Sequence, residues 1–159
     1  MTAVALYDFV LTIHILAVVV AFGVVFAYPV LDAQMRTAGP GDLAALHRLH
    51  LALGRRVISP AMVVVLLAGL YLALDRYSLG DPWISATLAI LLVLFALTGA
   101  VLTPTDRRLA ELAERDAKAG GGAPSEDYRR EERKAAAFGS LALALVLVAI
   151  FLMVAKPGL

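Results

Sequence analysis

The chain has 159 residues, 61% of them hydrophobic, and a formal net charge of +1. Soluble domains hold about 45–50% apolar residues, so the composition argues against a water-soluble globule, and the balanced charge gives no basis for a nucleic-acid partner. The absence of cysteine excludes disulfides, thiolate metal sites, iron–sulfur clusters and cysteine nucleophiles.

Four apolar runs are each long enough to cross a bilayer as a helix, which takes about 20 residues. The first spans residues 4–31, with Asp8 near its start and Pro29 near its end. It outlasts a signal-peptide core and lacks a basic leader, so it reads as retained. His14 is the only ionisable side chain deep inside any of the four runs. It lies about ten residues into the span, near mid-bilayer at roughly 1.5 Å per residue. Hydrocarbon penalises such a group, which makes it a site candidate. Its chemistry suits a haem or metal ligand or a proton-handling group, while a neutral imidazole bonded to a neighbouring helix is the plainer use. No second histidine lies at similar depth. Met62 and Met153 are the available soft partners, or simply fill the core.

Residues 32–56 form a polar segment. Asp42 is placed to cap a helix starting near Leu43, and Leu43, Leu46, Leu49, Leu53 and Val57 continue it at helical spacing into span two. His47 and His50 share a face of this helix. A metal there needs a third ligand, and Arg48, Arg55 and Arg56 disfavour a cation, so the pair reads as solvated surface.

Span two covers residues 57–74, with a bend expected at Pro60. Gly54, Ala61 and Ala68 recur every seven residues along it. Together with Gly23 and Ala27 in span one and Ala96 and Ala100 in span three, they are candidates for close helix approach. Tyr71, Tyr77 and Trp83 cluster at the turn into span three (83–103), where amphipathic rings favour the membrane interface. Ser59, Ser85, Thr87 and Thr98 read as groups that bond a neighbouring helix or the carbonyl four residues back.

Residues 104–134 carry eight basic and eight acidic residues. They predict a polar helix over 106–118, a break at Gly120-Gly121-Gly122, and a final helix capped by Ser125 that runs through span four (135–155). The whole segment reads as a solvated, salt-bridged hairpin. Residues 32–56 and 104–134 hold twelve of the fourteen lysines and arginines. The positive-inside rule therefore makes both loops cytoplasmic and both termini external. The expected fold is all-α: a single polytopic four-transmembrane-helix bundle over 1–159, with helical cytoplasmic extensions. No alternation of polar and apolar residues supports a barrel.

Several stretches resemble known membrane families. His14-Ile15 followed by Phe22-Gly23, Phe26 and Pro29 resembles the first helix of HemJ-type protoporphyrinogen oxidases. Arg55-Arg56, Pro60-Ala61-Met62 and Gly69-Leu70 resemble their second helix, and Pro82-Trp83-Ile84 the start of their third. The same outline occurs in copper-resistance D-like domains and in an uncharacterised bacterial family of predicted four-helix integral membrane proteins, which the chain resembles best. The resemblance covers roughly residues 6–110. It implies a bacterial inner-membrane protein in which His14 is a haem-iron ligand. HemJ-type enzymes carry a lysine shortly after the tryptophan of helix three. Here Ile84-Ser85-Ala86-Thr87-Leu88 follows Trp83, so the resemblance suits porphyrin or haem b binding without that oxidase reaction, or a scaffold that has lost both.

No nucleophile–base pair or phosphate-binding loop is present. The expected function is haem or porphyrin binding, with His14 as axial ligand, Arg55 or Arg56 available to a propionate, and Met62 as a possible second partner. The alternatives are a non-catalytic accessory subunit of a larger respiratory or photosynthetic complex, or a small oligomeric channel or transporter. The sparse intramembrane polarity disfavours the channel. Besides the lipid bilayer, the expected partners are further copies of the chain or the subunits of such a complex.

Overall fold

The computed structural model describes residues 3–120 and 122–157. Among them every regular element is helical. These are α1 (Ala3–Met35), α2 (Pro40–Leu53), α3 (Ser59–Arg76), α4 (Pro82–Leu97), α5 (Thr103–Lys118) and α6 (Glu126–Ala155), with π-helical turns at Gly54–Ile58 and Thr98–Leu102. The π turns join α2 to α3 and α4 to α5 without a break. Four continuous rods result, Leu6–Met35, Gly41–Arg76, Pro82–Lys118 and Glu126–Ala155, each long and apolar enough to cross a membrane. The expected all-α, four-span architecture is thus the one observed.

The second and third rods have 36 and 37 residues. At 1.5 Å per residue they reach about 55 Å, well beyond a hydrocarbon core of roughly 30 Å. Their polar portions, residues 41–56 and 104–118, therefore stand outside the membrane-crossing stretch, at the end of the bundle that carries the basic segments.

Both π turns end just before a hydroxyl residue and a proline, Ser59-Pro60 and Thr103-Pro104. Proline inside a helix lacks its N–H and crowds the carbonyl four residues back. A turn widened to i→i+5 takes up that conflict. The Ser59 N–H bonds the Gly54 carbonyl and the Thr103 N–H bonds the Thr98 carbonyl. Ser59 Oγ also donates to Gly54 O at 2.9 Å. The bend expected at Pro60 is absorbed in this way, and Pro104 uses the same device.

Inside the membrane α1 packs along α3 and α4 along α6, while α2, α5 and the start of α6 gather at the basic end. This division gives two cores. One buries Ala21, Phe22, Met62, Leu94, Ala142 and Val146. The other buries Met35, Leu43, Ala44, Leu109, Leu112, Ala113 and Tyr128. Residues 104–134 are thus more than a solvated hairpin: the inner stripe of α5 packs against α2. Ion pairs flank this packing, including Arg48–Glu114 between α2 and α5 at 2.7 Å and Arg133–Glu126 within α6 at 3.1 Å.

Two local expectations change. The α2 helix starts at Pro40 with Gly39 as N-cap, and Asp42 sits in the first turn without a capping bond; proline suits that first position because its missing N–H would be unpaired anyway. Ser125, in contrast, caps α6 as expected, accepting from the Tyr128 N–H. Gly23, Ala27, Ala96 and Ala100 are exposed, so they do not mediate close approach. The inward stripe of α1 is His14, Ala17 and Ala21, at i, i+3 and i+7. That puts Gly23 and Ala27 on the opposite face.

Candidate functional site

His14 belongs to that inward stripe and is only 7% exposed. Its ring meets α3 at Gly69 by its Cε1 edge. A Cβ added there would come within 2.9 Å of His14 Cε1 and 3.4 Å of Nδ1. No residue larger than glycine fits without moving the imidazole. Nδ1 is buried without a close partner, and the backbone carbonyl of Val65, one turn before Gly69, is the nearest group that can bond the ring.

The imidazole forms part of the wall of a cavity of about 440 Å³ where the α1–α3 pair meets the α4–α6 pair. This volume lies within the roughly 300–1,000 Å³ range of ligand and cofactor pockets. The wall is mostly aliphatic and aromatic. Its polar and soft groups are few: His14, Tyr7, Tyr77, Trp83, Thr87, Met153 and Lys156. Trp83 is 5% exposed, with its indole Nε1 buried and lacking a partner. Its ring is turned into the bundle. Thr87 Oγ1 is occupied, donating to the Trp83 carbonyl at 2.7 Å. Ser85 bonds the Asp81 carbonyl in the same i−4 manner. The wall reaches the lipid-facing surface, since its residues Ile15 and Val154 are 52% and 78% exposed.

Of the residues grouped with His14 from sequence, three lie elsewhere. Met62 is buried in the membrane core beside Phe22 and Leu94. Arg55 and Arg56 are exposed on the first π turn, thirteen or fourteen residues from Gly69 along one rod, or about 20 Å. Neither arginine lines the cavity. The cationic group at the cavity is instead Lys156, at the opposite end. Met153, not Met62, is the methionine on the wall.

A second polar cluster sits at the basic end, outside the membrane-crossing stretch. His47 is 3% exposed and its Nε2 is 2.8 Å from Tyr128 Oη. The ring of His50 packs on Tyr28 with centroids 4.0 Å apart, and its Nε2 is 3.8 Å from Asp106 Oδ2. The expectation of two solvated histidines is therefore wrong: α5 and α6 cover them. No group of three His, Cys, Asp or Glu among the described residues is placed to hold a metal ion.

Burial lowers His47 to about 4, helped by the neighbouring His50, and lowers His50 to about 4. Burial also raises Asp106 to about 7, with Asp32 adding to the effect. The 3.8 Å contact is too long for a hydrogen bond, and near neutral pH both histidines are uncharged, so it is not a salt bridge. The pH dependence of stability follows by linkage. The two histidines have folded values below their unfolded 6.5, so the stability they contribute above pH 6.5 is lost as pH falls toward 4. Asp106 has a folded value above its unfolded 3.8, so its contribution is full below pH 3.8 and lost as pH rises through 7. Two protons against one leave a maximum near pH 6.5. Asp106→Asn should remove the falling limb above that pH, and steepen the rise between pH 4 and 6.5. Thermal midpoints in detergent between pH 4 and 8 measure this. A variant less stable than the native protein at pH 8 would show that ionised Asp106 is a favourable partner.

Residues 8–157 match the model of a protein family described as predicted integral membrane protein (DUF2269). No curated protein matches the chain, and no solved structure does.

Proposed function

We propose that this chain, which belongs to the DUF2269 family of predicted integral membrane proteins, binds haem or a porphyrin in the cavity beside His14, with that imidazole as the axial ligand. The observation that carries this reading is the placement of His14. The only ionisable residue deep in an apolar span is buried, held on edge against Gly69 and set in the wall of a cofactor-sized cavity. An imidazole so placed can offer a nitrogen to a ligand in the cavity.

The donor set fits such a group. The aliphatic and aromatic wall suits the face of a macrocycle, His14 supplies a nitrogen ligand, and Met153 is the one thioether on the wall. A bound haem would supply one-electron or small-gas chemistry at its iron. The chain's own contribution is to exclude water with Phe22, Val65 and Leu94 and to fix the imidazole plane against Gly69.

The test is an absorption spectrum of the purified protein with a reduced-minus-oxidised difference. A Soret band should be present and should disappear in His14→Ala. A colourless, fully folded preparation from haem-replete cells would overturn the reading.

A further inference from the structure

Lys156 ends α6 in an unusual way. It is the only non-glycine residue with positive φ among those described, at φ 42 and ψ 56. A left-handed conformation costs an L-residue about 1–2 kcal/mol. Pro157 explains why Lys156 leaves the helical region, since the residue before proline is pushed out of it. The Lys156 side chain lies on the wall of the cavity.

There Lys156 Nζ donates to Tyr77 Oη at 3.0 Å. It sits 5.1 Å from the centroid of the Tyr77 ring and 5.4 Å from that of Trp83. The two rings meet edge to face at 5.1 Å, so together they form a corner that seats the ammonium group. Lys156 is the only charged side chain on the cavity wall. No carboxylate among the described residues pairs with it, although the other cation at this end, Arg76, has Asp75 at 3.8 Å. One N–H of the ammonium goes to Tyr77, which leaves two further donors. Close by, the Trp83 indole Nε1 is buried and unsatisfied.

Tyr77 lies eight residues beyond Gly69, so the cavity runs about 12 Å from the level of His14 to this corner. One end offers an imidazole nitrogen, the other a cation with free donors, and the wall between them is apolar. We infer that Lys156, seated on Tyr77 and Trp83, is the anchor for the carboxylate of an amphipathic acid ligand, so that a bound porphyrin turns its propionates toward this end of the bundle and away from Arg55 and Arg56. This inference rests on the porphyrin reading above. It differs in assigning the polar end of the ligand and the residue that selects it. The plainer role of Lys156, as a helix-terminal cation favoured by the carbonyl end of α6, predicts no preference among ligands.

The experiment uses the full chain in a non-ionic detergent, titrated with haemin and with haemin dimethyl ester. Trp83 is the only tryptophan, so quenching of its fluorescence reports occupancy of the cavity, while the Soret band reports ligation by His14. The native protein should bind the free acid at least about tenfold more tightly than the ester, as expected for a charge-assisted hydrogen bond. Lys156→Met should bring the two affinities together by weakening the acid alone, and Lys156→Arg should keep the preference. Unchanged affinity for the ester in Lys156→Met shows that the cavity is still formed.

The outcomes separate the two readings. A His14-dependent Soret band with an acid preference that survives Lys156→Met overturns the anchor and leaves haem ligation standing. Quenching with a Lys156-dependent acid preference, but no His14-dependent Soret band, supports the anchor and overturns haem ligation. No quenching by either probe overturns both.

Discussion

With haem held by His14 as proposed, Gly69→Ala should lower the Soret absorbance per protein at least about tenfold while leaving the bundle folded. The added methyl would sit 2.9 Å from His14 Cε1, closer than two carbons can pack, and the imidazole is buried on that side. The ring must swing away, which removes the orientation that α3 gives it. Misplacing a positioned group by about 1 Å can cost on the order of a hundredfold. Stability should change much less. Overpacking costs about 1–3 kcal/mol, and replacing a mid-helix glycine by alanine returns about 1 kcal/mol. Difference spectra and a thermal unfolding midpoint on the same preparation distinguish the two effects. An undiminished Soret band in Gly69→Ala would mean that this contact does not set the ligand geometry.

Leu112→Ala should destabilise the protein by about 2–5 kcal/mol, the cost of emptying a well-packed leucine site. Leu112 is 2% exposed, inside the core that joins the end of α1 to α2, α5 and α6. This core lies beyond the hydrocarbon, so it is held by the removal of apolar surface from water. Leu94 is about as buried, at 4%, yet it sits in the membrane core, where lipid tails are as apolar as leucine and only packing is lost. Leu94→Ala should therefore cost less than Leu112→Ala. Limited proteolysis across residues 104–134, together with unfolding midpoints, ranks the two. The reverse order would show that the basic-end core is not what holds the extensions together.

The membrane helices were legible because their signal is additive over twenty or more residues. Individual faces were less so. Gly23 and Ala27 have the spacing of a packing motif, but α1 turns His14, Ala17 and Ala21 inward instead. Small residues on two faces of one helix look alike until a partner is chosen. His47 and His50 read as solvated because their immediate neighbours are arginines. Their cover comes from α5 and α6, with Tyr128 arriving from 81 residues away. The π turns had a local signal, a hydroxyl residue followed by proline after an unbroken apolar helix, though proline by itself suggests only a kink.

His14 was identifiable as a site candidate from its cost in hydrocarbon. The rest of the cavity was not, because it is assembled from four helices. The sequence reading looked for a cation among the residues that follow Trp83 and found none. The fold brings one to Trp83 from the far end of the chain, on a residue that in sequence belongs to a featureless tail. The signal for it was weak but present: a solitary lysine directly after an apolar span and directly before proline.

Ile15 and Val154 set the cavity wall at the lipid-facing surface, and for a ligand bound there as proposed this decides which concentration governs occupancy. A hydrophobic ligand that enters from the hydrocarbon phase is governed by its mole fraction among lipids, and not by its molarity in the buffer. Doubling the amphiphile at fixed protein and fixed total ligand dilutes the ligand in two dimensions and should shift the apparent dissociation constant by about the same factor. The intrinsic constant on a mole-fraction scale should stay fixed. Affinities measured at different detergent loads are comparable only after that conversion.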